Sequence, residues 1–224
     1  VGYAAGDATT TAGQNTALGY NALGANITGA YNTAIGRNAL LVTTGGSNTA
    51  VGGDALTANT SGATNTAVGV SALAANTTAA NNTGVGANSL TANTTGTNNV
   101  AVGSNALDAN TTGSGNIGIG LNAVGGNTTA ANNIGIGLNA LLSNTTGAQN
   151  IAIGSYAGDA ITTGTYNIFL GYEAGTATTT ADYNTGLGSQ ALTANTTGTR
   201  NTSVGSLALS TATTADNNTA VGYD

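Results

Sequence analysis

The sequence predicts an all-β fold, a parallel β-solenoid (β-roll) with one 17-residue repeat per coil, and three observations predict it. Asparagine recurs at 15, 32, 48, 65, 82, 99, 116, 133, 150, 167, 184, 201 and 218, every interval being 17 except Asn32 to Asn48, which is 16. Four residues after each of these asparagines stands a glycine. Between the two, β-branched, small and aliphatic residues alternate with the period of two that marks a half-buried strand. A repeat this short cannot close a helical unit, which needs ~33 residues or more.

With the recurring asparagine as position 1, the unit reads N-T-A-V-G-x-N-A-L-x-A-N-T-T-G-x-x. Position 2 is β-branched, position 3 is small except for Phe169, and position 4 is aliphatic. Position 5 is glycine in all fourteen instances from Gly2 to Gly222, which a corner with φ > 0 would require. Position 8 is alanine except for Ser89, and position 9 is Leu or Val except for Gly6, Gly158 and Gly175. Two strands are expected, at positions 1–5 and 7–11, with 12–17 returning the chain. Positions 2 and 4 are expected to point inward. Equivalent residues of successive coils should then stack about 4.8 Å apart, so that about thirteen coils make a rod of roughly 60–65 Å. The position-1 asparagines, among them Asn65, Asn82, Asn99, Asn116 and Asn133, should form a side-chain ladder. Gly69, Gly86, Gly103, Gly120 and Gly137 should mark the corner. The 16-residue unit should lose its missing residue from the return turn and keep strand register, because a one-residue slip inverts every side chain. The chain reads as a single solenoid array over residues 1–224. It lacks capping sequences at Val1 and Asp224, as expected of a segment of a longer fibre protein.

Composition excludes several functions. Only Arg37 and Arg200 are basic against eight acids, so there is no footprint for nucleic acid and no polybasic patch for a membrane. No apolar run approaches the ~18 residues of a membrane span. The charged residues fall only at positions 6, 7, 10, 16 and 17, which marks these as the solvent face, since burying an unpaired charge is costly. Without His, Cys or Lys, acid–base and nucleophilic chemistry would rest on acids scattered over different repeat positions, so no enzyme activity, catalytic residue, metal or cofactor is expected. The Gly118-Ile119-Gly120 and Gly135-Ile136-Gly137 runs imitate part of a dinucleotide loop but lack its third glycine and its helix. Asn-x-Thr/Ser sequons recur at position 12, where Asn-Thr-Thr-Gly is better read as turn chemistry.

All eight tyrosines lie at positions 6, 7 or 17. Tyr166 and Tyr183 occupy one position in adjacent coils and should stack; with Tyr156 and Tyr172 nearby they form a candidate contact patch. Ice binding would need outward threonines separated by one residue on a strand. The threonines at positions 13 and 14 are adjacent and would face opposite sides.

The phrase N-T-A-V-G-x-x-A resembles the S-V-A-I-G-x-x-A repeat in the heads of YadA-like trimeric autotransporter adhesins. The longer N-T-A-x-G-x-x-A-L-x-x-N-T-T-G unit is similar to arrays in bacterial surface proteins and phage-type tail fibres. The resemblance covers the whole chain. It implies a β-roll assembled from identical chains, three in that family, at a cell surface or virion tail, with adhesion to a host or prey surface or its glycans. The expected function is a stiff structural segment of an extracellular fibre. A glycan- or receptor-binding module and an ice-binding solenoid stay open as alternatives. From the residues alone, a partner surface is expected if the position-9 leucines, such as Leu56, Leu73, Leu90 and Leu107, point away from the coil and form an apolar stripe.

Overall fold

The computed structural model describes all 224 residues and contains β-strands and turns but no helix. The chain packs as two compact units, Val1–Ser114 and Gly115–Asp224. The first holds β1 (Thr16–Leu18), β2 (Thr33–Ile35), β3 (Thr49–Val51), β4 (Thr66–Val68), β5 (Thr83–Val85) and β6 (Val100–Val102). The second holds β7 (Ile117–Ile119), β8 (Ile134–Ile136), β9 (Ile151–Ile153), β10 (Ile168–Leu170), β11 (Thr185–Leu187), β12 (Thr202–Val204) and β13 (Thr219–Val221). In both units successive strands pair in parallel with equivalent residues opposite, as in Thr49↔Thr66 and Ile134↔Ile151. Each unit is a parallel β-solenoid with one strand per coil.

Strands cover only positions 2–4. The second expected strand, at 7–11, is instead a pair of turns closed by bonds from the position-8 N–H to the position-5 carbonyl and from the position-12 N–H to the position-9 carbonyl. In the coil of Asn65 these are Ala72 to Gly69 (3.4 Å) and Asn76 to Leu73 (3.1 Å). Positions 7 and 9 take positive φ to make the bends, as at Ser71 (56°) and Leu73 (52°). A strand cannot alternate through such corners, so the Ala and Leu at positions 8 and 9 need not diverge. Both point inward, and Ala72, Leu73, Ala106 and Leu107 are fully buried. The exposed leucine stripe therefore does not exist.

The facing of the strand is also the reverse of the expected one. Position 3 is buried in every strand from β2 to β12, while positions 2 and 4 are half-buried or exposed. The reason is volume. The position-9 leucine already fills the space beneath the strand, so only a small residue fits at position 3, and the bulky β-branched pair is turned outward. None of the charged residues is fully buried: Arg37, Arg200, Asp7, Asp216 and Asp224 are exposed, and Asp54, Asp108, Asp159, Glu173 and Asp182 are half-buried.

Backbone groups are satisfied between coils in alternating directions. Positions 2, 9, 11 and 13 donate forward, as in Thr49 to Asn65 (2.8 Å) and Leu56 to Ala72 (3.0 Å), and positions 5, 7 and 17 donate backward, as in Gly69 to Val51 (2.8 Å). At position 5 glycine is required twice over. Gly69 has φ of 141°, and a Cβ there would lie 2.4 Å from the carbonyl oxygen of Gly86 in the next coil. The 16-residue unit keeps β2 and β3 in register, Ala34 opposite Ala50. Thr43 takes the buried place of the position-12 asparagine and receives a hydrogen bond from Asn59 at 3.1 Å. Thr44 pairs with Thr60 of position 13, so the lost residue is position 14 of the return turn.

Candidate functional site

Two asparagine columns line each coil. At position 1 the N–H of Asn65 donates to Asn48 Oδ1 (3.0 Å), and Asn65 Nδ2 donates to Asn48 Oδ1 (3.2 Å) and to the Ala79 carbonyl of its own coil (2.8 Å). Asn82 and Asn99 continue the column in the first unit, Asn116 and Asn133 in the second. The second column, at position 12, is buried as well: Asn76 Nδ2 donates to Asn59 Oδ1 (2.9 Å) and to the Ala79 carbonyl (3.1 Å). The sequon asparagines Asn26, Asn59, Asn76, Asn93, Asn110, Asn127, Asn144 and Asn195 are thus fully enclosed. Asparagine gives way in the position-12 column to Thr9, Thr43, Ile161, Thr178 and Ala212. Three of the four buried side-chain atoms left without a partner lie at such breaks: Asn144 Oδ1 precedes Ile161, Asn195 Oδ1 precedes Ala212, and Thr178 Oγ1 follows Ile161. The fourth is Asp159 Oδ1.

The coils around Ile161 have a rebuilt core. Gly158 and Gly175 stand where leucine is usual, and the Phe169 ring fills the vacated space. A Cβ on Gly175 would lie 2.5 Å from three ring carbons, and one on Gly158 would lie 3.1 Å from Ile161 Cδ1 and 3.2 Å from Phe169 Cδ2.

The tyrosine patch divides into two pairs. Tyr166 and Tyr183 stack at 5.0 Å with planes 4° apart, on the position-17 edge of the strand. Tyr156 at position 7 and Tyr172 at position 6 meet edge to face at 6.5 Å, beyond the other end of the strand. Tyr3 and Tyr20 form a third pair, stacked at 5.5 Å. Hydrogen bonding to Glu173 raises the Tyr172 phenol, and the same contact holds Glu173 below its ordinary value, helped by Gln190, which donates at 2.8 Å. Asp108 and Asp159, both at position 10, are raised by burial. Asp54 is lowered by the Asn38 amide, which donates at 2.9 Å, and by its ion pair with Arg37. In the first unit a notch of about 200 Å³, lined by Ala25, Val42, Thr43, Thr44, Thr60 and Ser61, opens beside the shortened return turn.

Position-13 threonines are committed internally: Thr60, Thr77 and Thr94 each donate Oγ1 to the equivalent carbonyl of the next coil at 3.0–3.1 Å. The strand face is apolar and faces outward. In the second unit β7 to β10 present Ile117, Ile119, Ile134, Ile136, Ile151, Ile153, Ile168 and Leu170 at positions 2 and 4, with Ile153 39 % and Leu170 37 % exposed. In the first unit β1 to β5 present threonine at position 2 and an aliphatic residue at position 4. Outward-facing strand residues were not singled out in the sequence, because the alternation fixes which residues share a face and not which face is inside.

Compared with known protein families, curated proteins and solved structures, the chain matches none. No helix is long and apolar enough to cross a membrane.

Proposed function

We propose that this chain is a structural segment of an extracellular fibre, associating with identical chains to make a stiff, protease-resistant element of a bacterial surface or phage-type tail. The observation that carries this reading is the aliphatic strand face of β7 to β10. Four consecutive coils expose paired Ile and Leu side chains with no charge among them. A contiguous apolar face is the kind of surface that marks an interaction site, and burial against a copy removes it from water. The rest of each coil is devoted to its own backbone: two asparagine columns, a glycine corner and a threonine column, none of which offers groups for chemistry. Three chains is the stoichiometry that the repeat's resemblance favours. Adhesion to a cell surface or its glycans would fall to the tyrosine pairs at the coil edges.

Sedimentation of the full chain tests the reading. An oligomer is expected at micromolar concentration, and Ile136→Lys with Ile153→Lys should dissociate it while leaving the circular dichroism of the coils unchanged. A folded wild-type monomer across that range would overturn it.

A further inference from the structure

Position 14 of the return turn stands apart from the asparagine, glycine and threonine columns that serve the backbone. It is exposed in every coil that has it, and its chemistry does not vary: the twelve residues from Thr11 to Thr214 are all threonine except Ser61. Exposed surface positions are free to differ, and position 6 does, carrying the exposed Tyr20, Arg37, Val70, Ser104 and Leu121 in different coils. What is constant at position 14 is the hydroxyl, because Ser61 keeps it and lacks the β-branch.

Folding does not account for that constancy. At position 13 Thr60, Thr77 and Thr94 donate Oγ1 to the next coil, yet Ile27 is accepted there. At position 14 the hydroxyl bonds to nothing in the chain and still is never lost. Nor is it kept as the third residue of an Asn-x-Thr sequon. The sequon asparagines of position 12 are enclosed, and Thr163, Thr180 and Thr214 persist in coils where position 12 is Ile161, Thr178 and Ala212.

A free hydroxyl on an open turn is an acceptor for group transfer. Position 15 is Gly or Ala in every coil, so nothing bulky beside it blocks an approaching active site. The same smallness gives a docked protein no large side chain to anchor on. Spacing decides the charge of the transferred group. Phosphoryl groups would carry about −1.5 to −2 each and stand about 4.8 Å apart, with Arg37 and Arg200 the only basic side chains to neutralise them. A neutral group escapes that repulsion. A hydrophilic one adds the hydration that a chain with 4 % charged residues gets little of from its own side chains.

We infer that the position-14 hydroxyls are acceptor sites for O-linked sugars. Threonine Oγ1 bonds to the anomeric carbon of a nucleotide-activated sugar, and the bond from that carbon to the diphosphate breaks. The nucleoside diphosphate leaves, and the hydroxyl proton passes to a base of the glycosyltransferase.

The test is mass-spectrometric mapping of the full chain isolated from the cells that make it, with fragmentation that keeps sugars attached. Whole sugar residues are expected on position 14, as on Thr78, Thr95 and Thr112, and none on Thr77, Thr94 or the strand residue Thr66. Thr112→Val should lose that one sugar, leave the others in place and keep the wild-type melting curve. An unmodified chain overturns the inference, as do phosphate or acetyl groups on these residues, or sugars spread evenly over the other threonines. Position 14 lies outside the strand face, so sugar mapping and the sedimentation test of the fibre reading succeed or fail separately.

Discussion

The two units share a frame and differ in what they build on it. In Val1–Ser114 the core repeats almost without change, Ala at position 3 over Ala and Leu at positions 8 and 9, and the outward strand residues are half hydroxylic. In Gly115–Asp224 four coils turn a wholly aliphatic pair outward, and two adjacent coils exchange leucine for glycine beneath a phenylalanine. The position-1 asparagines and position-5 glycines are present in both. The frame is thus separable from both the core filling and the outer face, because it rests on backbone and amide groups that neither of the others touches.

The sharpest way to break that comparison is Phe169→Ala. In the second unit the ring occupies space that leucine fills elsewhere, and its loss should cost about 3–5 kcal/mol in urea unfolding. Restoring the usual arrangement with Gly175→Leu in the same chain should recover much of this; a cost near zero for the single variant would mean that the ring fills no required space. Smaller, and equal in the two units if the frame is shared, is the effect of Asn65→Ala and Asn133→Ala. Each removes an amide that serves its own coil and a neighbour, and each buried group left unsatisfied costs about 1–3 kcal/mol. Clearly unequal losses would show that the frame is not common to both. Smaller again is a gain. Ala212→Asn would give the orphaned Asn195 Oδ1 a donor and raise stability by about 0.5–1.5 kcal/mol, the worth of a net hydrogen bond; thermal melting that does not rise would place the unpaired oxygen's cost elsewhere.

The smallest effect concerns Asp159. Burial raises its folded pKa, so the folded protein holds its proton more tightly than the unfolded chain does. Stability is then lost as pH rises from the ordinary Asp value of about 3.9 through the raised one. Asp159→Asn should be more stable than wild type near neutral pH, and the advantage should vanish in acid, where the wild-type carboxyl is protonated. A difference independent of pH would mean that charge is not its source.

Much of the fold was legible because the repeat averages over noise. Thirteen copies expose the unit length, the solvent positions and the glycine corner, and the Asn32–Asn48 deletion could be placed in the return turn from its residues alone. What was not legible was direction. The alternation Thr-Ala-Val is the same whichever face lies inside, and the volume of the position-9 leucine, which decides it, is assigned only once positions 7–11 are known to turn. Leucine at positive φ is uncommon enough that Leu56 and Leu73 gave no warning of those corners. The second asparagine column was hidden by the turn propensity of Asn-Thr-Thr-Gly. The rebuilt core did leave a signal: Gly158, Ile161, Phe169 and Gly175, four departures from the unit, fall within adjacent coils.

Bonding between equivalent positions has a consequence for the gene. Because each coil takes its hydrogen bonds from the coils before and after it, and those partners sit one unit away along the chain, whole units are interchangeable. Removing 17 codons from one asparagine to the next would bring matching surfaces together and shorten the array by one coil, whereas removing half that number would set turns against strands. Length is therefore a copy number, open to change by recombination between repeats without any new packing having to be found.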